Sequence, residues 1–383
     1  MDGFIKDIII DSCTTYNRKC VNIKMNDRNY GLDLLRMVAM YMVLLLHVLG
    51  QGGILKELPP QGTNVYLMKY AMAWYVEIFA YCAVNCYALL TGYNYFDKTI
   101  SNNKIVSFWL QIIFYALGIN LIFYFCGSKI TSEMWLMGVF PITTRVYWYA
   151  TAYFGLFFLI PLFNKSINEL SIGNLKQLLY IMFVVFSFIP TLIMKDPYNL
   201  NRGYSLIWLL LLFIVGGALR RLDICNKISS KISLQTFFIA ISFTWIWKLI
   251  FDICYKKYIV ASMFIRYTSP TIILAAIALF IYFSKMRITQ TKIRSFISRF
   301  SAAAFGVYLI HLHPLIWRGA FRGFSKVFVK QNAAVMILEV VLSALVIYIV
   351  CSFVEMLRIK IFKYIASKEF IKKYFIEKYD MFN

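Results

Sequence analysis

The amino-acid sequence predicts an all-α integral membrane protein that forms a bundle of about ten transmembrane helices. Of the 383 residues, 61% are hydrophobic and only 15% are charged, whereas a soluble domain carries about 25% charged residues. The mean hydropathy is +0.67, and apolar runs of nearly membrane-spanning length recur along the whole chain. These runs lie at residues 30–49, 68–92, 105–126, 147–163, 177–194, 204–219, 234–254, 265–284, 301–318 and 333–357.

The two ends of the chain differ from this apolar middle. Residues 1–29 are mixed and polar, and we expect them to form a cytoplasmic N-terminal segment before a membrane domain at residues 30–357. Residues 358–383 alternate aromatic residues with lysines, a pattern typical of a basic amphipathic helix on the inner leaflet. Lys and Arg are more frequent in the segments on the side of the termini. We therefore expect a multi-pass protein of the cytoplasmic membrane with both termini inside.

The net charge of +22 does not indicate nucleic-acid binding. The Lys and Arg residues lie in loops between the apolar runs, where they set topology and contact anionic membrane lipid. The 8 cysteines are scattered, without a CxxC pair or a Cys/His zinc pattern. We therefore expect no metal site, no bound cofactor and no nucleic-acid partner.

The first predicted span carries Arg36 near one end and His47 near the other. Eleven helical positions make about three turns, so both side chains share one face, roughly 16 Å apart along the axis. Ionisable residues inside a membrane usually face the bundle interior or a wet cavity, and the pair therefore indicates a lined passage. The alternative is that Arg36 reaches the cytoplasmic headgroups while His47 forms an interfacial hydrogen bond. Asp33 lies three positions before Arg36 and can pair with it.

Polar and aromatic residues also occur in other spans. Glu77 and Asn85 are about two turns apart in the second span and point to a similar face. Glu77 either pairs with Arg36 or another cation, or takes part in chemistry. Trp148 and Tyr149 open the fourth span, where they form either an interfacial aromatic belt or a platform for a sugar ring.

The ninth span carries Tyr308, His311 and His313. All three histidines of the chain are thus expected at a similar depth, near the outer side. A single buried histidine is most often a structural residue, but three at one depth indicate a functional cluster. In the seventh span, Lys248 and Asp252 are four residues apart and can form an ion pair on one face.

Together these segments resemble the acyltransferase 3 family of multi-spanning membrane acyltransferases. The resemblance rests on Gly31-Leu-Asp-Leu-Leu-Arg36 through His47, on the segment 83–93 that ends in Thr-Gly-Tyr, on Trp148-Tyr149 and on the segment 306–311. Their order and spacing cover nearly the whole chain, and the Arg-x10-His element is the most specific of them.

The resemblance implies the transfer of an acetyl or other acyl group from cytoplasmic acyl-CoA to a sugar of a surface polysaccharide or lipid-linked precursor. The implied donor substrate is acetyl-CoA or another acyl-CoA, and the implied partners are acyl-CoA, a glycan or glycolipid acceptor and membrane lipid. Two features depart from the family pattern. Thr91 stands where a serine is usual, and the basic stretch that often follows is reduced to Lys98 and Lys104, so the contacts to the CoA phosphates are poorly located.

Acyl transfer to a hydroxyl needs a base for the hydroxyl proton and stabilisation of the oxyanion. We predict that His47 is the base, or the nucleophile of an acyl-histidine intermediate. Arg36 would hold the CoA side of the donor or steady charge on it, as the second catalytic residue. Supporting or substrate-binding roles are expected for Glu77, Asn85, Trp148, Tyr149, Tyr308 and His311.

The alternative function is a multi-pass transporter of a polar solute. Intramembrane ionisable residues would then relay protons or bind the solute. The residues concerned are Arg36, Glu77, Lys248 and His311.

Overall fold

The computed structural model describes residues 28–366, so the expected segment 1–29 and the expected tail 358–383 lie largely outside the described residues. Between residues 28 and 366 the chain is helical and contains no β-strand. In this range, 8 helices are long and apolar enough to cross a membrane. The prediction of an all-α integral membrane protein is therefore confirmed.

The helices follow the predicted apolar runs in order. The second run is divided into two helices by a turn at residues 81–82, and the other runs correspond to one helix each. The bounds are α1 Tyr30–Leu49, α2 Asn64–Ala80, α3 Ala83–Tyr95, α4 Asn102–Phe125, α5 Trp148–Glu169, α6 Ile172–Phe183, α7 Leu206–Arg221, α8 Ser230–Leu249, α9 Pro270–Ser284, α10 Thr291–His311 and α11 Ala333–Ala366. Helix α6 is continued by helical turns to Leu192, and α8 by a π-helical turn to Cys254.

Two of the predicted spans are short helices enclosed by their neighbours. Helices α7 and α9 have 16 and 15 residues, or about 22–24 Å at 1.5 Å per residue, less than the roughly 30 Å hydrocarbon core. Helix α7 packs against α3, and α9 packs against α8 and α3. The crossing of α3 and α7 is so close that a Cβ atom on Gly92 or Gly216 would collide with the backbone of the other helix. Glycine at these two positions allows the close approach.

Hydrogen bonds between helix ends define the two faces of the bundle. The side chain of Asn29, before α1, donates to the carbonyl oxygen of Ser284 at the end of α9, 2.8 Å away. Arg220, at the end of α7, donates to the carbonyl oxygen of Tyr93 at the end of α3, 3.0 Å away. We call this face, which contains both ends of the described chain, the terminal face.

The opposite face, here called the distal face, lies at the C-terminal end of α1. There the backbone N–H of Gly323 donates to the carbonyl oxygen of Gln51 at 3.0 Å. Lys326 pairs with Glu57 at 2.7 Å. The loop between α10 and α11 therefore covers the end of α1 that carries His47.

A buried carboxylate joins α11 to α4 and lies against α10. Glu355 of α11 is 1% exposed and accepts hydrogen bonds from the hydroxyl of Tyr115 at 2.5 Å and the amide of Gln111 at 3.0 Å, both on α4. Arg358 completes the set at 2.6 Å. A Cβ atom on Gly306 of α10 would lie 2.5 Å from this carboxylate. Glycine there lets α10 approach α11, and this contact fixes the position of α10.

Helix α10 begins ten residues before the predicted run and ends at His311. Pro314 begins a separate short helical turn, because proline has no backbone N–H and disfavours helix in the residue before it. The end of α10 therefore separates His311 from His313. Helix α1 packs against α2, α3, α9, α10 and α11, which places Arg36 and His47 at the centre of the bundle.

Candidate active site

The geometry of the site starts with a pair of histidines from opposite ends of the sequence. The Nδ1 atom of His47 lies 2.9 Å from Nε2 of His311, and Nδ1 of His311 lies 2.6 Å from the carbonyl oxygen of Val307. A carbonyl oxygen can only accept, so Nδ1 of His311 carries a proton and, in the neutral ring, Nε2 is an acceptor. His47 therefore donates through Nδ1, and its own Nε2 keeps a free lone pair.

This arrangement gives His47 the geometry of an oriented base. Its Nδ1–H is held by His311, which fixes the tautomer and the plane of the ring, while Nε2 is available to accept a proton or an acyl group. The ring of Trp317 packs against that of His47 at 4.8 Å in an edge contact. His311 itself is 1% exposed.

His313, by contrast, serves a structural purpose. Its Nε2 lies 3.2 Å from the carbonyl oxygen of Ala116, and its Nδ1 accepts the backbone N–H of Leu315 at 3.3 Å. The expected cluster of three histidines is thus a pair, because His313 lies beyond the end of α10 and caps the next helical turn.

Arg36 lies about three turns from His47, towards the terminal face. Its Nη1 atom pairs with Asp33 at 2.8 Å and donates to the hydroxyl of Ser301 on α10 at 3.0 Å, so the predicted Asp33–Arg36 pair is confirmed. The hydroxyl of Tyr87 donates to the backbone oxygen of Arg36 at 2.7 Å. The Arg36 side chain is 31% exposed, and Ser301 holds one of its nitrogens towards the bundle interior.

A second cation lies within electrostatic reach of Arg36. The ammonium of Lys104 on α4 is within electrostatic reach of the Arg36 guanidinium, and it lies 4.4 Å from the centre of the Tyr95 ring. The sequence showed Lys104 only as part of a thin basic stretch, because its closeness to Arg36 depends on the packing of α4 against the bundle. The two cations form a positive site at the terminal face.

Tyrosine rings lie between Arg36 and the histidines. The ring of Tyr149 is 6.2 Å from Tyr87, 5.8 Å from Tyr153 and 6.0 Å from Tyr308. Tyr308 accepts the backbone N–H of Tyr149 at 3.2 Å, and its ring is 6.3 Å from His311. The hydroxyl of Tyr149 is buried without a hydrogen-bond partner among the described residues. The structure thus brings the predicted residues Tyr149 and Tyr308 together with the histidine pair.

The predicted residue Trp148 belongs to an aromatic group at the distal end of α5. Its ring lies 4.6 Å from Tyr204 and 6.4 Å from Tyr267. Tyr267 also contacts Tyr81 at 5.0 Å. Because Trp148 packs against these rings, it has interior neighbours that a purely lipid-facing belt residue would lack.

Glu77 and Asn85 both approach this aromatic group, but in different ways. Asn85 is 0% exposed; its amide donates to the carbonyl oxygen of Tyr267 at 2.8 Å and accepts from Trp208 at 3.1 Å. These bonds make Asn85 a structural link between α3 and the loop before α9. The Oε2 atom of Glu77 is buried without a hydrogen-bond partner, and none of the ion pairs within residues 28–366 includes Glu77. The alternative in which Glu77 pairs with Arg36 or another cation is wrong within the described residues, where Arg36 pairs with Asp33.

The predicted pair on α8 is confirmed. Lys248 and Asp252, 6% and 0% exposed, pair at 2.5 Å. The hydroxyl of Tyr70 donates to Asp252, and the Lys248 ammonium lies 4.2 Å from the centre of the Trp74 ring. Of the four ionisable residues that the transporter interpretation needs, Arg36 and Lys248 are therefore already engaged in ion pairs.

The described part of the chain contains no group of three His, Cys, Asp or Glu residues that could hold a metal ion. The site combines an oriented imidazole, two cations at the terminal face and a group of packed tyrosine rings between them. Such a set can take a proton from a hydroxyl group and bind an anionic donor.

The model of an acyltransferase domain matches residues 29–356 of the chain. Comparisons with curated proteins and with solved structures gave no match. The matched range contains both histidines of the pair, Arg36 and the tyrosine rings between them.

Proposed function

This chain belongs to the acyltransferase 3 family, and we propose that it moves an acetyl group from cytoplasmic acetyl-CoA to a hydroxyl of a cell-surface polysaccharide or its lipid-linked precursor. The family assignment makes the protein a membrane acyltransferase. The observation that best supports the chemistry is the hydrogen bond between His47 and His311. It leaves one nitrogen of His47 free to act as a base.

The proposal takes the terminal face as cytoplasmic. Basic residues of the turns at that face would then satisfy the positive-inside rule, and both termini would be inside the cell. Reporter fusions in the 255–264 loop and after residue 378 test this orientation. We expect the fusion after residue 378 to report the cytoplasm and the fusion in the loop to report the opposite side, and matching sides would contradict the count of ten spans.

The donor would enter at the cations of the terminal face. Arg36 and Lys104 suit the phosphates of CoA, since guanidinium and ammonium groups form strong charge-assisted hydrogen bonds to phosphate oxygens. His47 is roughly 16 Å further along α1, too far for Arg36 to touch a carbonyl that reacts there. The long pantetheine arm of CoA would span this distance past the tyrosine rings that lie between Arg36 and His47. Arg36 thus binds the CoA side, whereas the thioester lies at His47.

The transfer step then follows from the tautomer of His47. Its Nε2 takes the proton of the acceptor hydroxyl, whose oxygen forms a bond to the carbonyl carbon of the thioester. The C–S bond breaks, and the imidazolium gives its proton to the departing thiolate. His311 stabilises the imidazolium by accepting its Nδ1–H. In the covalent variant, Nε2 itself attacks the thioester carbonyl, and the C–S bond breaks to release the CoA thiolate. The acceptor oxygen then attacks the acyl carbon, the C–N bond to Nε2 breaks, and the hydroxyl proton ends on the thiolate.

A direct test compares two histidine variants in detergent-purified protein. His47→Gln can form hydrogen bonds but cannot take a proton, so acetyl-CoA-dependent CoA release should fall about a hundredfold or more. His313→Gln is the matched control, because His313 bonds only to the backbone, and we expect its rate to stay near wild type. Near-normal acyl transfer by His47→Gln would contradict the proposal. Mass spectrometry of surface glycan from cells with and without the protein identifies the acceptor.

A further inference from the structure

Two arginines meet on the distal face, beside the aromatic group that contains Trp148. Arg202 lies in the turn before α7 and Arg266 in the turn before α9. The backbone of Gly203 packs so closely on Tyr267 that a Cβ atom on this glycine would lie 2.5 Å from the tyrosine side chain. The contact brings the two preceding residues together. Burial and the nearby Arg202 guanidinium hold the pKa of Arg266 below its usual value.

The arginine pair has no counter-ion on the described chain. Asp196 has a favourable electrostatic effect on Arg266, and this effect is smaller than the repulsion from Arg202. Both carboxyl oxygens of Asp196 accept backbone N–H groups, from Leu200 at 2.8 Å and Asn201 at 2.7 Å. Neither guanidinium forms a hydrogen bond or an ion pair with residues 28–366. Two neighbouring cations without a partner attract an anion from outside the chain.

The contacts around Arg202 hold its backbone in an unusual conformation. Asn201 and Arg202 have φ values of 50° and 55°, and Gly203 has 102°. Non-glycine residues rarely adopt positive φ, and such strain persists only where the surrounding structure imposes it. The two hydrogen bonds to Asp196 and the packing of Gly203 impose it here.

The aromatic group beside the arginines is rich in hydroxyl groups. The hydroxyls of Tyr81 and Tyr267 both approach that of Tyr204, and Tyr81 is within electrostatic reach of both arginines. Glu77 lies within electrostatic reach of Tyr81 and Tyr267. It is only 9% exposed, and its Oε2 has no partner within the described residues. A sugar ring can stack on the half-buried rings of Trp148 and Tyr204 while its hydroxyls bond to the tyrosine hydroxyls.

A series of packed side chains connects this aromatic group to the histidine pair. Trp148, which packs on Tyr204, is followed by Tyr149, whose backbone N–H bonds to the hydroxyl of Tyr308. The Tyr308 ring then contacts His311. A ligand on the Trp148 ring would therefore lie on the distal side of the tyrosine rings, whereas the cations that suit the donor lie at the terminal face.

We propose that the acceptor is an anionic sugar. Its carboxylate or phosphate binds the Arg202–Arg266 pair, while its sugar ring stacks on the ring of Trp148. The proposal rests on the proposed function and adds the chemical class of the acceptor. Both oxyanions match the planar guanidinium groups. The ring and the oxyanion would together hold one hydroxyl towards the free Nε2 of His47.

The test is binding of three sugars to the full-length protein in detergent, measured by calorimetry. The probes are glucuronic acid, glucose 1-phosphate and glucose, at matched ionic strength. We expect one or both anionic sugars to bind at least about tenfold more tightly than glucose, since charge-assisted bonds are roughly twice as strong as neutral ones. Whichever of the two anionic sugars binds more tightly shows whether the site prefers a carboxylate or a phosphate. Equal binding of all three, or no binding, would overturn the proposal.

Variants of the two arginines test whether the oxyanion of the sugar binds at this pair. Arg202→Gln and Arg266→Gln should each remove about tenfold of the preference for the anionic sugar, whereas Arg266→Lys should keep part of it because the charge remains. Arg322→Gln is the matched control, an exposed arginine on the same face. An unchanged preference in both Gln variants would overturn the assignment. So would binding of phosphatidylglycerol that depends on both arginines, without any sugar binding, because the pair would then bind a lipid headgroup.

Donor-side activity separates this proposal from the one on which it rests. Arg202→Gln and Arg266→Gln should keep the wild-type KM for acetyl-CoA, because the donor enters at the terminal face. Acetyl-CoA-dependent CoA release without any preference for anionic sugars would refute the acceptor class alone. Selective binding of anionic sugars without any acetyl-CoA-dependent reaction would refute the proposed function and leave the sugar site standing.

Discussion

The hydrogen bond between His47 and His311 predicts a measurable positioning effect. His311→Leu removes the acceptor of the His47 Nδ1–H at 2.9 Å. The bond matters most when His47 holds the transferred proton and is charged, and a hydrogen bond to a charged group contributes about 1.5–3 kcal/mol. At about 1.36 kcal/mol per factor of ten, kcat should fall about tenfold to 150-fold. The KM for acetyl-CoA should change little, because Arg36 lies three turns away.

A second variant separates positioning from packing. His311→Gln keeps an oxygen that can accept the His47 Nδ1–H, so it should recover part of the lost kcat. The assay is the initial rate of CoA release by detergent-purified protein, with the melting temperature of each variant measured in parallel. His313→Leu serves as the control and should keep kcat within about twofold.

Two results would refute this reasoning. Wild-type kcat in His311→Leu would mean that His47 needs no partner. Equal losses of kcat and of melting temperature in His311→Leu and His311→Gln would mean that His311 supports packing alone. A lower kcat at an unchanged melting temperature, partly recovered by Gln, is the outcome that the geometry predicts.

Three further outcomes are expected. Arg36→Lys keeps the charge but loses the planar fork, so the KM for acetyl-CoA should rise with little effect on acceptor binding; an unchanged KM would contradict the donor role. Gly306→Ala places a Cβ 2.5 Å from the carboxylate that joins α11 to α4 and should destabilise the protein by about 1–3 kcal/mol, whereas Gly118→Ala, with nothing within 4 Å, should not lower the melting temperature. Lys248→Met breaks a buried ion pair and should cost about 3–5 kcal/mol, seen as a lower melting temperature. Lys165→Met, whose side chain is 74% exposed, should cost under about 1 kcal/mol.

The sequence was informative wherever the deciding contacts are local. The apolar runs became helices because a run that avoids water must also satisfy its backbone hydrogen bonds internally, which a helix does within the segment. The Asp33–Arg36 and Lys248–Asp252 pairs follow from the same short range, since residues three or four apart are neighbours on any helix. The bounds of α10 were less certain, because its first turns are basic and resemble a loop in composition.

The candidate site was only partly visible. Arg36 and His47 share a face of one helix, and that much follows from helical geometry. The sequence could place His311 and His313 at a similar depth, but not the rotation of α10 about its axis. Because α10 ends at His311 and a separate turn begins at Pro314, only one of the two histidines meets His47.

The sequence by itself determined the membrane class, the order of the helices and the ionisable residues of each span, because hydropathy and helical periodicity act over a few turns. The tertiary structure alone decided which of these residues meet. His47 and His311 are 264 positions apart, and no local pattern connects them. The same is true of Arg202 and Arg266, which two separate turns bring together. Such pairs depend on how rigid helices pack side by side, and packing is set by the shapes of all the side chains between them.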